Sequence, residues 1–463
     1  MLSAVDVRRS ALYAGMLILA VIIFFGIRHF GERGPVATLP IAPAASTSAS
    51  GSENVLMHVL VALAAVMLLG HLFAWLLGHM HQPPVIGEVL AGIALGPSLL
   101  GQLWPAAGEF ILPASVAPSL AVVAQLGVVL YMFVIGLELN GSILRQRGHA
   151  TVAISHASIV APFLLGAGLA LWLFPRLSVP GVSFTVFALF LGVSMSITAF
   201  PVLARILSDQ GLTRTELGTM ALACAATDDV TAWCLLAFVV GVARSQVGGA
   251  VQVVVLSVVF VAGMCLVVRP LLVRLLPSLA PWAKSRSLML LALLAMLASA
   301  LTSEAIGIHA IFGAFLLGAI IPHDSQVACE LRPKLEDLVS VLLLPAFFAL
   351  TGMRTQIALV SGPSQWGIVL LIIAVATIGK FGGSWIAARL LGMKGSDAAA
   401  LGMLMNTRGL MELIVLNVGL ELGVVSPALF AMMVLMALAT TMTTGPALSW
   451  LNRKADARPE GRG

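Results

Sequence analysis

Apolar residues in this chain arrive in fourteen long runs separated by short polar connections. They lie near residues 11–29, 54–78, 84–99, 118–138, 150–174, 184–207, 217–243, 249–271, 286–304, 308–322, 336–352, 366–391, 398–421 and 427–450. A helix that crosses a membrane needs about 20 mostly apolar residues. Composition points the same way. Of the 463 residues, 60% are hydrophobic and 10% charged, against about 25% charged in a soluble domain. Mean hydropathy is +1.05. So few charges cannot cover the surface of a soluble fold, so most of the chain lies in lipid. The short runs 84–99 and 308–322 have Gly and Pro at their ends and are expected to be tilted or half-buried.

The first run follows Arg8 and Arg9. It is longer than the usual 7–15 apolar residues of a signal peptide, and no clean A-x-A site follows it. It is expected to be a retained extra helix. The stretch from Gly31 to Gly51, rich in Pro, Ala and Ser, reads as a loose linker. The expected organisation is therefore an N-terminal segment and linker over 1–53, a transmembrane domain over 54–450 and a short basic tail over 451–463.

Fourteen spans put both termini on one side. With that side cytoplasmic, eighteen of the 25 Lys and Arg fall inside and five outside, while Lys380 and Arg408 fall within spans. This is the positive-inside asymmetry, and an error of one helix in the middle would scramble it. The expected location is the plasma (inner) membrane. The net charge of +5 is accounted for by these loops and implies no nucleic acid. The four cysteines (Cys224, Cys234, Cys265, Cys329) form no ligand-spaced cluster, so no metal site or disulfide is expected.

Charges inside the spans carry the most information, because one at the bilayer centre costs about 2.5–3.5 kcal/mol even on a lenient scale. The run 217–243 contains Thr227-Asp228-Asp229 near its middle. Neighbours on a helix project about 100° apart, so both carboxylates can border one cavity without pointing the same way. Adjacent buried carboxylates resist being ionised together, and such a group can hold a proton or a small cation but not both. Lys380 lies near the middle of 366–391 and is the one lysine inside any span. A central position argues against snorkelling to an interface. Lys380 is a candidate charge partner that can release a proton when an ion arrives.

Two runs look interrupted. One contains Ser194, Ser196, Thr198 and Pro201, and Pro201 breaks the helical hydrogen-bond ladder. The other contains Asn406, Thr407, Arg408, Gly409 and Glu412. Interrupted segments in corresponding halves of a chain are the best sequence pointer to a transporter site. The first half runs broken helix then Asp-Asp helix; the second runs Lys helix then broken helix. The broken helices are entered from opposite sides, as an inverted repeat requires, and would aim half-helix dipoles at the site.

At these residues the chain resembles the monovalent cation:proton antiporter-2 family, with the sodium/hydrogen exchanger fold. The matching stretches are QPPVIGEVLAG at 82–92, IGLEL at 135–139, SITAFPVLAR at 196–205, Thr227-Asp228-Asp229 and NTRGLMEL at 406–413. The resemblance covers roughly 55–450. It implies an all-α polytopic fold: a 13-helix inverted-repeat core with two broken crossing helices, beside which the first run is one extra N-terminal helix. It also implies exchange of Na⁺ or K⁺ for H⁺, a homodimer and no cofactor. Asp229 would be the main ion and proton carrier and Asp228 the partner of Lys380. Asp-Asp in place of Asn-Asp implies electrogenic exchange. The chain ends soon after its last run, so gating through a nucleotide-binding domain on the same chain is not expected.

Glu412 stands four residues after Arg408, so the two are expected to pair along one helix face. Thr227 is a supporting candidate. Glu88 and Glu138 are expected to cap or pair. His79, His81, His156 and His309 are expected to be packed or interfacial. An intramembrane aspartyl protease would need its carboxylates on separate helices, so an enzyme is not expected. No carbonyl or charge ring suggests a channel filter. A cation-coupled symporter on the same scaffold is the main alternative function.

Overall fold

Backbone amides in lipid must find partners within the protein, which favours helices throughout. The computed structural model describes residues 4–34, 55–80, 82–138, 148–213, 215–244, 250–279, 285–322 and 324–456. The linker beyond residue 34, the tail beyond 456, His81, and basic loop residues such as Arg145, Arg147, Arg214 and Lys284 lie outside the described residues. The described residues are helical apart from connections and one isolated bridge, Ser178 with Val425.

The fourteen runs each correspond to one helix or broken helix. They are α1 (Ala4–Gly31), α2 (Val55–Gly78), α3 (Pro84–Leu95), α4 (Ala117–Glu138) and α5 (Gly148–Leu177). A broken helix follows, α6a (Phe184–Ser196) and α6b (Phe200–Asp209), then α7 (Glu216–Arg244). Next, α8 joins Ala250–Gly263 and Arg269–Leu279 through a wide π-turn at Met264–Val268. After α9 (Ser285–Ile306) and α10 (Ala310–Ile320), α11 runs as Gln326–Leu338, Val339–Leu343 and Leu344–Arg354. The chain closes with α12 (Gly362–Leu390), a second broken helix α13a (Gly395–Met405) and α13b (Leu410–Glu421), and α14 (Pro427–Asp456). Among the described residues, twelve helical segments are long and apolar enough to cross a membrane, and α13a with α13b makes a thirteenth, bent by 42°. The fourteenth run, α10, has 11 residues and spans only about 16 Å. It is shielded by α9, where Ser299 Oγ donates to Gly313 O at 2.7 Å.

The largest departure from the sequence reading is at the start of α11. The run expected at 336–352 begins at Gln326. Val327, Ala328, Leu331 and Leu335 recur at helical spacing and are buried, while Arg332 and Glu336 face out. Charges on the outer face hide that apolar stripe from a hydropathy average. Ser325 caps the helix, accepting from the Ala328 amide at 3.3 Å.

The helices form two bundles. α5, α6a, α7, α12, α13a and α14 pack on one another, and α2, α3, α4, α9, α10 and α11 form the second, with α8 beside α9. The second bundle uses glycine where backbones touch. A Cβ on Gly352 of α11 would lie 1.9 Å from the Gly92 backbone of α3, so only glycine permits this approach. The first bundle is two three-helix units, α5–α6–α7 and α12–α13–α14, each with its broken member in the middle. That is the inverted-repeat order. α1 docks on the first bundle: Phe24 stacks near Phe163 of α5 at 5.6 Å, and Thr185 of α6a donates to Glu32 at 2.8 Å. We call the end where α1 finishes distal. Leu177, Phe184, Arg244, Ile306, Arg354 and Glu421 lie there, as contacts such as Ser426 Oγ to Leu177 O (2.7 Å) require.

Candidate functional site

The site forms where the breaks in α6 and α13 cross beside the middle of α7. Residues 197–199 and 406–409 are not helical. Pro201 is in the first turn of α6b, where its missing N–H costs nothing. It therefore starts the second half-helix rather than kinking a continuous one. The two breaks are stitched together: the Ala199 amide donates to Thr407 O at 3.0 Å, and Thr198 Oγ1 lies 3.1 Å from Met405 O. Gly409 permits the crossing, since a Cβ there would meet Val202 Cγ2 at 2.8 Å.

Asp228 is wholly buried and fully partnered. Its Oδ1 accepts from Ser155 Oγ at 2.5 Å. Its Oδ2 accepts from Ser158 Oγ at 2.8 Å, Thr198 Oγ1 at 2.8 Å and Lys380 Nζ at 2.7 Å. Lys380, also buried, uses all three of its protons, the others going to Ser196 O at 2.5 Å and Ser158 Oγ at 3.3 Å. The next carboxylate differs. Asp229 is 2% exposed and its Oδ1 has no hydrogen-bond partner among the described residues. Two adjacent residues of one helix thus face opposite surroundings.

The last three carbonyls of α6a meet cations. Arg408 reaches Ser194 O at 3.2 Å and Met195 O at 2.7 Å, while Lys380 takes Ser196 O. A helix C-terminus carries partial negative charge and unsatisfied carbonyls, so both cations neutralise this half-helix end. Arg408 and Glu412 do meet, at 3.3 Å, but not along one helix face: Arg408 lies in the break and Glu412 in the first turn of α13b. Thr441 of α14 holds the Arg408 backbone, accepting from its N–H at 3.0 Å.

Other expected residues divide. The Ser194 hydroxyl, both amide atoms of Asn406 and the Thr407 hydroxyl are buried at the crossing without a hydrogen-bond partner among the described residues. Ser196 turns its hydroxyl back to Gly192 O at 2.7 Å and contributes its carbonyl instead. Thr227 is not brought into the cluster; its hydroxyl bonds Ala223 O of its own helix at 2.8 Å. Glu138 pairs with Arg332 at 2.9 Å, as expected of it.

A model of the transmembrane sodium/hydrogen exchanger matches residues 61–454. The chain belongs to the sodium/hydrogen exchanger family. Among relatives, it is 44% identical over 396 residues to the Na(+)/H(+) antiporter NhaS4 of Synechocystis, covering 85% of this chain and 97% of that one. It is 34% identical over 383 residues to K(+)/H(+) antiporter 1 of Saccharomyces cerevisiae, covering 79% of this chain but 43% of the yeast protein. The solved sodium proton antiporter MjNhaP1 of Methanocaldococcus jannaschii shares the fold, with a TM-score of 0.62 at 14% identity over 87% of this chain and 99% of that one. This exchanger-family chain is accordingly a multi-pass membrane protein.

Sequence reading missed Ser155 and Ser158, which supply two of the four donors to Asp228. The available signal was a pair of hydroxyls three residues apart, on one face of an otherwise apolar run. Nothing in the sequence pairs that face with α7.

Proposed function

We propose that this exchanger-family chain moves a monovalent cation, Na⁺ or K⁺, against H⁺ by alternating access, with Asp229 as the shared ligand. The observation that carries this reading is the contrast within one dipeptide. Asp228 is satisfied by four donors, one of them charged, whereas Asp229 Oδ1 is buried with none. Burying a bare carboxylate costs several kcal/mol, so Asp229 needs either a proton or a cation, and one excludes the other. The unpartnered oxygens of Ser194, Asn406 and Thr407 at the same crossing suit a cation that has shed water. The names of the cyanobacterial and yeast relatives favour Na⁺ and K⁺ respectively and leave the choice open.

Exchange is electrogenic, as the family resemblance implies for Asp-Asp at 228–229 in place of Asn-Asp. The bundle containing α7 and both broken helices moves against the other. The proximal end and both termini face the cytoplasm, by the distribution of Lys and Arg, in the plasma (inner) membrane. The second bundle joins two copies in a homodimer, as the family resemblance implies. No enzymatic step is involved.

The test is proton flux in sealed proteoliposomes. Adding Na⁺ or K⁺ should dissipate an imposed pH gradient, and Asp229→Asn should abolish the response. Full-rate dissipation by Asp229→Asn rules out Asp229 as the shared ligand. An imposed membrane potential should alter the rate; indifference to it would leave only electroneutral exchange.

A further inference from the structure

Among the described residues, two ion pairs that join the bundles lie at the distal end. Arg354, at the end of α11, meets Glu421 at the end of α13b at 3.0 Å. Arg244, at the end of α7, meets Glu304 of α9 at 2.9 Å. Each has neutral support. Arg354 also donates to Asn417 Oδ1 at 2.8 Å, and Asn417 Nδ2 donates to Thr351 Oγ1 of α11 at 3.0 Å. Gln125 of α4 reaches Glu421 at 3.4 Å, and Glu304 also accepts from the Ala310 amide at 2.8 Å. Every one of these contacts except the last crosses from one bundle to the other.

Below the pairs lie two cavities that share His309, Ile311 and Val418. The upper is lined by Gln125, Arg354, Asn417 and Glu421. The lower is lined by Trp233, Val240 and Phe312. Its floor is Trp233, whose ring lies 6.2 Å from that of Phe315 of α10 in the second bundle. Trp233 is four residues after Asp229, one turn toward the distal end. The two cavities thus lie between the bundles on the distal side of Asp229, with the ion pairs above them and Trp233 below.

We propose that Arg354–Glu421 and Arg244–Glu304 are clasps that close a distal route, with Trp233 against Phe315 as the seal beneath, and that both clasps must part for Asp229 to face the distal side. The proposal rests on alternating access as the mode of transport. The clasping side chains are between about a quarter and a half exposed. Pairs at such positions are weak and screened by salt, which suits contacts that break once per cycle.

The experiment uses the full chain in proteoliposomes, with the exposed Cys234, Cys265 and Cys329 replaced by serine. Arg354→Cys with Glu421→Cys is bridged by a bis-methanethiosulfonate, because two long side chains separate these backbones too far for a direct disulfide. Cation-driven proton flux should fall at least tenfold on bridging and return with dithiothreitol. Bridging Arg332→Cys with Glu138→Cys, within the second bundle, should leave flux unchanged. A bridged Arg354/Glu421 pair that still transports at full rate overturns the proposal. Separately, Glu421→Gln with Glu304→Gln should speed labelling of Val240→Cys by a membrane-impermeant thiol reagent added from the distal side at least threefold. An unchanged or slower rate overturns it too. Absence of flux in the unbridged parent would instead refute the antiport reading, so the two failures are distinct.

Discussion

Lys380 and Asp228 are each wholly buried and lie 2.7 Å apart, so removing either one leaves a charge without its counter-ion. Breaking such a pair costs about 3–5 kcal/mol. The two halves should differ. Lys380→Met leaves Asp228 with three hydroxyl donors, from Ser155, Ser158 and Thr198, each worth about 1.5–3 kcal/mol to a charged acceptor, so its loss should sit near 3 kcal/mol. Asp228→Asn leaves the ammonium facing only the Ser196 carbonyl and the Ser158 hydroxyl, and its loss should approach 5 kcal/mol on the same scale. At about 2.1 cal/mol/K per residue, a chain of this size unfolds with an entropy near 1 kcal/mol/K, so these losses lower the melting temperature by roughly 3 and 5 °C. The double variant should melt within about 2 °C of the parent, since no unpaired charge remains. Tryptophan fluorescence melts in detergent measure all four proteins. Single-variant shifts that simply add in the double variant would refute the reading of these residues as one coupled pair.

Ser155→Ala with Ser158→Ala should lower the melting temperature by about 2–4 °C, two donors to a buried carboxylate being lost at roughly 1.5–3 kcal/mol each with partial relaxation; a shift under 1 °C would show that these hydroxyls do not hold Asp228. Gly352→Val should prevent normal folding, because a Cβ at 352 falls 1.9 Å from the Gly92 backbone; size-exclusion chromatography of the expressed protein should show aggregation, and a monodisperse peak would contradict the close approach of α3 and α11. The Glu32 carboxyl, held below the ordinary carboxylate range by hydrogen bonds from Arg28 and then Thr185, is charged in the folded protein at neutral pH. A lowered folded-state pKa makes its stabilising contribution present above the ordinary range and lost as pH falls through the lowered value. At neutral pH this solvent-facing contact contributes little, so Glu32→Gln should leave the melting temperature within about 1 °C; a larger fall would show that the contact anchors α1.

Much of this architecture is legible in the chain because lipid simplifies the reading. An apolar run of membrane length has few alternatives to a helix, and all fourteen runs appear as helices or broken helices. The intramembrane charges stand out for the same reason, and Asp228, Lys380 and Arg408 meet at one crossing. What stays hidden depends on which helix lies beside which. Ser155 and Ser158 are ordinary hydroxyls until α5 is set against α7. Arg408 looks like the i,i+4 partner of Glu412, and only the crossing shows it also capping the α6a carbonyls. Thr227 shares a motif with the aspartates yet turns back onto its own helix, because adjacent helical positions point in different directions. The early start of α11 was masked by charges on its outward face.

The division of labour between the two aspartates is tested most directly by proton release from the purified protein in weakly buffered detergent near neutral pH. Adding Na⁺ or K⁺ should displace protons from the wild-type protein, with choline as the inert control. Asp229→Asn should release none, while Ser155→Ala, which keeps Asp229 intact, should still respond. Release from Asp229→Asn equal to that of the wild type would contradict the assignment of Asp229 as the group over which cation and proton compete.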